Sequence, residues 1–172
     1  FLEHTQIDPL TCELSLLHEF IIGKNLLQDL SNIDHDTALQ VILSDYIEPN
    51  IGKEQPYFIY DFPSSQAALA KIRAGTPPVA ERFELYYKGF ELANGFHELT
   101  DPNEQQIRFQ KDQHKRQQLN KYVPTIDPYF ISALQSGLAD CAGVAVGLDR
   151  LVMLAHGCQT IQEVVPLHWQ HC

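Results

Sequence analysis

The chain has 172 residues, a formal net charge of −10 and an isoelectric point near 5.1. Because affinity for a phosphate backbone comes from clustered Lys and Arg, this acidic balance argues against a nucleic-acid-binding module. No run of about 18 apolar residues is present, so no membrane span is expected, and the length is that of one ordinary domain.

The two ends of the chain carry no strong signal. The sequence begins at Phe1 without the charged region and apolar region of a signal peptide, so we expect a piece of a longer, cytoplasmic protein. The four cysteines form no C-x-x-C pair, which argues against a zinc ribbon or redox motif and favours reduced thiols. His168, His171 and Cys172 in the tail are interpreted as a frayed polar terminus rather than a metal site.

The first fifty residues are predicted to be mainly helical. Apolar positions recur at three and four within residues 9–22, with Asp8 as the predicted N-cap, Pro9 at the first position and Gly23 at the end. Further helices are predicted at 24–31 and 34–47. The composition changes after about residue 50, which predicts that residues 1–50 form a helical insertion or subdomain within one domain spanning 1–172.

The remainder alternates between strand and helix patterns. β-formers predict a strand at 57–63, and residues 79–96 predict two strands around a tight turn. Helices are predicted at 64–72, at 100–123 with Thr100 or Asp101 as N-cap, and at 127–137, before a strand that runs into a helix at 140–157. Hairpin-joined strands with helices on them predict an α+β fold, an antiparallel sheet flanked by helices.

The turn between the two strands is predicted at Lys88-Gly89. Gly89 accepts a positive φ readily and Lys88 tolerates it poorly, so the sequence leaves the turn type open. A two-residue turn predicts the pairs Tyr87–Phe90, Tyr86–Glu91 and Glu84–Ala93.

Alternation along the strands predicts two unlike faces for this hairpin. The face predicted to carry the chemistry holds Glu84, Tyr86, Glu91 and Ala93. The face predicted to pack into the core holds Phe83, Leu85, Tyr87, Phe90 and Leu92.

Glu84 and Glu91 are predicted to be diagonal neighbours, about 7–8 Å apart at the backbone. Two carboxylates at this spacing can hold a divalent cation, particularly when phosphate oxygens complete its shell. A half-exposed hairpin with solvated glutamates would show the same pattern. In that case Glu98 would be no more than a negative charge that interacts favourably with the N-terminus of the next helix. The pattern itself leaves both interpretations open.

A strip of small residues forms a second candidate feature. Gly143, Ala145 and Gly147 are predicted on one side of a strand, where a flat ring or a ligand could approach closely. Arg150 follows near the start of a helix, and a guanidinium there can bind phosphate oxygens. Close strand–helix packing with a surface pair between Arg150 and Asp149 is the alternative.

Two stretches of sequence resemble a known family. "GVAVGLDRLVMLAHG" (143–157) is similar to motif 3 of class II aminoacyl-tRNA synthetases, and "FELYYKGFELANGFHELTDPNEQQIRF" (83–109) resembles their lysyl-tRNA synthetase branch. With "EPNIGKEQPYFIYDFPSSQAALAKI" (48–72), the resemblance is nearest to the compact lysyl-tRNA synthetase paralogues that attach (R)-β-lysine to elongation factor P. It implies the C-terminal part of a class II catalytic domain, which with Mg²⁺ activates lysine or β-lysine as an adenylate by displacing pyrophosphate from ATP.

The resemblance also implies roles for individual residues. Those implied to bind ATP are Glu91, Leu92, Gly147 and Arg150, with Arg150 and Glu91 as catalytic residues and Glu84 and Glu91 as metal ligands. Those implied to bind lysine are Asn94, Phe96, Glu98 and Ala145, with Glu98 facing the ammonium group. Ordinary lysyl-tRNA synthetases usually have Gly at the position of Ala145. The alanine at this position resembles the elongation factor P ligases.

The resemblance is incomplete in two places. Neither motif 1, which builds the family's homodimer interface, nor the F-R-x-E stretch of motif 2 is found. We therefore expect the isolated chain to be inert and the complete enzyme to be a homodimer that lysylates elongation factor P. A lysyl-tRNA synthetase acting on tRNA and a non-catalytic synthetase-like binding module are the alternatives.

Overall fold

The computed structural model describes residues 1–166, so the predicted frayed tail lies outside the described residues. Its first part is helical, with α1 (Leu2–Thr5), α2 (Leu14–Gly23) and α3 (His35–Ile42). A π turn (Leu43–Ile47) and a 3₁₀ turn (Glu48–Asn50) continue α3. No helix among residues 1–166 is both long and apolar enough to cross a membrane.

Two of the predicted helical features in this part are wrong. Asp8 caps only an isolated turn, where its side chain accepts from the Leu10 N–H at 3.0 Å, and α2 starts later, at Leu14. Residues 24–31 contain turns rather than a helix. By contrast, Asp34 is a true N-cap whose carboxylate accepts from the Thr37 N–H at 2.9 Å, which explains why α3 begins where it does.

The predicted antiparallel sheet is confirmed and has five strands. They are β1 (Tyr57–Pro63), β2 (Ile72–Arg73), β3 (Val79–Tyr87), β4 (Phe90–His97) and β5 (Ala142–Val146), in the order β1-β3-β4-β5, with β2 pairing to the start of β3. The remaining helices are α4 (Pro102–Gln118), α5 (Pro128–Gln135) and α6 (Leu148–His156). The helix predicted at 64–72 is wrong, because only a 3₁₀ turn (Ser64–Gln66) precedes β2.

The core lies between one face of the sheet and the N-terminal helices. Leu17, Ile21 and Ile42 are fully buried there, together with Phe62 of β1 and Tyr86 of β3. Residues 1–50 therefore share one hydrophobic core with the sheet.

The prediction of which hairpin face is buried is wrong for β3, although Leu92 of β4 is buried as predicted. Glu84 and Tyr86 are 7% and 3% exposed, whereas Phe83, Leu85 and Tyr87 are only partly buried. The N-terminal helices cover the Tyr86 side, where the phenol ring supplies apolar area and the polar groups bind one another. The opposite face keeps large apolar side chains exposed, among them Phe58, Tyr60, Val144 and Val146.

Candidate active site

The turn of the hairpin lies at Lys88-Gly89, as predicted. Both residues have positive φ, 49° and 81°, the combination found in type I′ turns, so Lys88 adopts the left-handed conformation. The predicted pairs Tyr87–Phe90 and Tyr86–Glu91 are confirmed by the register.

The predicted pairing of Glu84 with Ala93 is wrong. Ala93 pairs with Leu85, and Glu84 pairs with Asn94, because Leu92 is an extra residue in β4. Such a bulge shifts every later residue by one position relative to the partner strand. It places Asn94, and not Ala93, on the face of Glu84.

The buried carboxylate of Glu84 is held by three donors. Arg82 Nη2 lies 2.5 Å from Glu84 Oε1, Tyr86 Oη lies 2.7 Å from Oε2, and Asn94 Nδ2 lies 3.0 Å from Oε1. A carboxylate has about four acceptor positions, so one remains for a metal ion or a ligand. Within the described part of the chain, Asn94 Oδ1 and Arg82 Nε are buried without a hydrogen-bond partner.

A further carboxylate, Glu48, reaches this network from the N-terminal region. Its Oε1 lies 3.0 Å from Tyr86 Oη, which also contacts Glu84. A phenol has one proton to donate, so it can satisfy only one of two ionised carboxylates. Burial, reinforced by the charges of Glu84 and Glu91, raises the pKa of Glu48, which favours its protonated form. Sequence patterns do not reveal the role of Glu48, because its partner Tyr86 lies 38 residues away in the chain.

Arg150 links the helix α6 to the end of the hairpin. It donates to the backbone carbonyl of Glu91 and lies 3.7 Å from that residue's carboxylate. Its salt bridge is therefore with Glu91, and the alternative surface pair with Asp149 is not formed. Gly147 N donates to the Leu92 carbonyl at 2.8 Å, so Leu92, Gly147 and Arg150 lie together where β5 meets α6.

The small-residue strand lies beside Asn94 and Phe96. Ala145 pairs with Asn94 and Gly143 pairs with Phe96, so Gly143 and Ala145 share the face of Glu84, as the alternation predicts. The carboxylate of Glu98 occupies the space over Gly143, where a Cβ would lie 2.5 Å from its Oε1.

The predicted site residues are thus brought to one side of the sheet and to its β5–α6 corner. They are Glu84, Glu91, Leu92, Asn94, Phe96, Glu98, Ala145, Gly147 and Arg150. Among residues 1–166, no group of three His, Cys, Asp or Glu side chains is arranged to hold a metal ion by itself. A cation here would need ligands from a substrate in addition to protein carboxylates.

The chain matches the family model described as tRNA synthetases class II (D, K and N) over residues 18–168. The chain belongs to this family. The match includes the hairpin, β5 and α6, and the antiparallel sheet flanked by helices is consistent with a class II synthetase domain. Class II synthetases are ATP-dependent ligases that use Mg²⁺, so the resemblance noted from motif 3 is confirmed at the level of the family.

Proposed function

We propose that this chain is the C-terminal part of a catalytic domain that activates lysine or β-lysine with ATP and transfers it to elongation factor P. The observation that carries the proposal is the unbalanced charge on one side of the sheet. The carboxylates of Glu84, Glu91 and Glu98 outnumber the guanidinium groups of Arg82 and Arg150, and Glu48 adds a fourth carboxyl group. The resemblance of residues 83–109 to the lysyl branch supports the choice of amino acid.

The excess negative charge calls for cations from outside the chain. Carboxylates that lie close together on a partly buried surface repel one another, and a bound divalent ion or ammonium group reduces that repulsion. The free acceptor position of Glu84 and the unpartnered Asn94 Oδ1, seen within residues 1–166, are suited to donors or a metal. These oxygen atoms are therefore suitable ligands for Mg²⁺ and suitable acceptors for the ammonium group of a basic amino acid.

Each predicted residue has a chemical role in this proposal. Glu84 and Glu91 would hold Mg²⁺, which would neutralise phosphate charge. Arg150 binds phosphate oxygens, for which it exchanges the Glu91 carbonyl. Glu98 binds the ammonium group of the amino acid, whose carboxylate attacks the α-phosphorus of ATP and displaces pyrophosphate.

The small side chains make room for the proposed amino-acid contacts Glu98 and Asn94. Gly143 has no Cβ under the Glu98 carboxylate, and the single methyl of Ala145 lies next to Asn94. We propose that this methyl narrows the amino-acid site and favours β-lysine over α-lysine.

Lysine-dependent ATP–pyrophosphate exchange tests the proposal. We expect exchange in the complete protein with lysine or β-lysine, and none with aspartate or asparagine, because these two lack the second ammonium group that would offset the excess of carboxylates. We expect no exchange in the 172-residue chain, because its sequence has no F-R-x-E stretch to bind the α-phosphate. Detectable exchange by the chain alone would refute its proposed inertness.

The acceptor is tested by adding either elongation factor P or tRNA to the activation mixture. We expect radiolabelled lysine to appear on the protein. Label on tRNA would make the enzyme a lysyl-tRNA synthetase. If ATP and lysine bind but no pyrophosphate exchange occurs, the protein is a non-catalytic binding module.

A further inference from the structure

A chain of alternating charges crosses the sheet on the face opposite to the candidate site. It starts at Asp61 and Arg73, whose Oδ2 and Nη2 lie 2.8 Å apart, and continues from Arg73 Nη1 to Glu81 Oε1 at 3.4 Å. His97 of β4 is its centre, with Nδ1 2.6 Å from Glu81 Oε2 and Nε2 2.7 Å from Asp140 Oδ1. Lys71 Nζ ends the chain, 3.0 Å from the same Asp140 oxygen.

The geometry around His97 favours the imidazolium form. A neutral imidazole has one N–H and can donate to only one carboxylate, whereas both of its nitrogens here face carboxylate oxygens. The charges agree, since Asp61, Glu81 and Asp140 are balanced by Arg73 and Lys71 only if His97 is also positive. The hydrogen bond to Asp140, followed by that to Glu81, raises the pKa of His97.

His97 lies at the point where β5 joins the sheet. It pairs with Ala142, the first residue of β5, and its side chain binds Asp140 two residues earlier. The backbone N–H of Glu98 donates to the Cys141 carbonyl at 2.9 Å, and on the other face the Glu98 carboxylate lies over Gly143. His97 and Glu98 therefore hold the same short segment from opposite faces of the sheet.

We propose that His97 is a positioning residue which, as an imidazolium, fixes the start of β5 against β4 and so sets the relation between Glu98 and Gly143. That Glu98 binds an amino acid rests on the proposed function, but the attachment of β5 does not. While Glu81 and Asp140 are ionised, the contribution of His97 to the ionic chain is complete below about pH 6.5, the usual value for His, and is lost as pH rises through the higher folded-state pKa of His97.

Two measurements on the complete protein test this without any substrate. The ¹⁵N shifts of the His97 ring report its protonation, and we expect both nitrogens to be protonated at pH 6.5, with a titration midpoint above that pH. Hydrogen–deuterium exchange of residues 138–146, divided by the intrinsic chemical rate, reports the opening of β5. We expect exchange to accelerate as His97 deprotonates, by about tenfold for each unit between its pKa values in the attached and open states.

Matched variants separate this residue from the others. His97→Gln should raise exchange of residues 138–146 at low pH and abolish the pH-dependent step. His114→Gln, on the exposed side of α4, should leave both unchanged. The wild-type pH series remains decisive if His97→Gln does not fold.

The proposal is overturned if His97 titrates at or below pH 6.5, or if exchange of residues 138–146 is constant through its titration. These outcomes are independent of catalysis. Absence of lysine-dependent pyrophosphate exchange would contradict the proposed function but would not affect the proposal that His97 fixes β5 against β4.

Discussion

The carboxylate of Glu98 fills the space above the α-carbon of Gly143. A Cβ at position 143 would lie 2.5 Å from Glu98 Oε1, a distance that real Cβ contacts essentially never show. Any larger residue here would therefore require the Glu98 carboxylate to move, so Gly143 serves close approach and not an unusual backbone angle. The pairing of β4 with β5 makes this contact, since Gly143 lies opposite Phe96, two residues before Glu98.

Gly143→Ala should therefore displace the Glu98 carboxylate. We expect the KM for lysine in the complete enzyme to rise by about tenfold, equivalent to about 1.4 kcal/mol of lost binding, with a smaller change in kcat. The measurement is pyrophosphate exchange as a function of lysine concentration. Val144→Ala, on the exposed opposite face, is the control and should leave KM unchanged. An unaltered KM in Gly143→Ala would show that Glu98 does not bind the amino acid.

Tyr86→Phe should destabilise the chain by about 1–3 kcal/mol, because it removes the hydroxyl that donates to the buried Oε2 of Glu84 and that also contacts Glu48. Urea unfolding followed by circular dichroism measures this change in the free energy of unfolding. Tyr60→Phe is the matched control, since Tyr60 is 69% exposed and its hydroxyl is expected to contribute little. Equal midpoints for the two variants would mean that the hydroxyl of Tyr86 adds nothing to the network.

Glu48→Gln should change how stability depends on pH. The pKa of Glu48 is raised in the folded state, mainly by burial, so the folded chain binds more protons than the unfolded chain above about pH 4.3. This group therefore lowers stability as pH rises from its unfolded pKa through its folded pKa. We expect the variant to lose that contribution and to gain stability relative to wild type between pH 4 and 7.

Thermal unfolding of both proteins across this pH range provides the test for Glu48. Glu54→Gln, in an exposed loop, serves as the control and should reproduce the wild-type profile. A wild-type-like profile for Glu48→Gln would place the raised pKa elsewhere in the network.

The hairpin shows both the reach and the limit of the sequence. Gly89 and the β-formers around it were enough to locate the two-residue turn and its first two pairs. The sequence does not predict the bulge at Leu92. Pairing with β3 determines where the extra residue lies, and the residues on either side of it still alternate as in a regular strand. Regular alternation without this bulge predicts Ala93, and not Asn94, on the face of Glu84.

The identity of the buried face was also beyond local patterning. Phe83 and Leu85 made one side more apolar, but the helices that cover the sheet come from residues 1–50 and pack on the side of Tyr86. Long-range packing of this kind overrides amphipathic alternation. Glu48 and His97 were missed for the same reason, since their partners are distant in the chain.

Ala145→Gly in the complete enzyme should raise activity with α-lysine relative to β-lysine. Ala145 pairs with Asn94 on the site face, so removal of its methyl widens the space next to a proposed amino-acid contact. One methyl group in a site is worth about 1–3 kcal/mol in discrimination, so we expect the ratio of kcat/KM values to shift by at least about tenfold. Pyrophosphate exchange with each amino acid measures the ratio, and Ala142→Gly, at the start of the same strand and on its other face, is the control. Equal ratios in wild type and Ala145→Gly would mean that this methyl does not select the substrate.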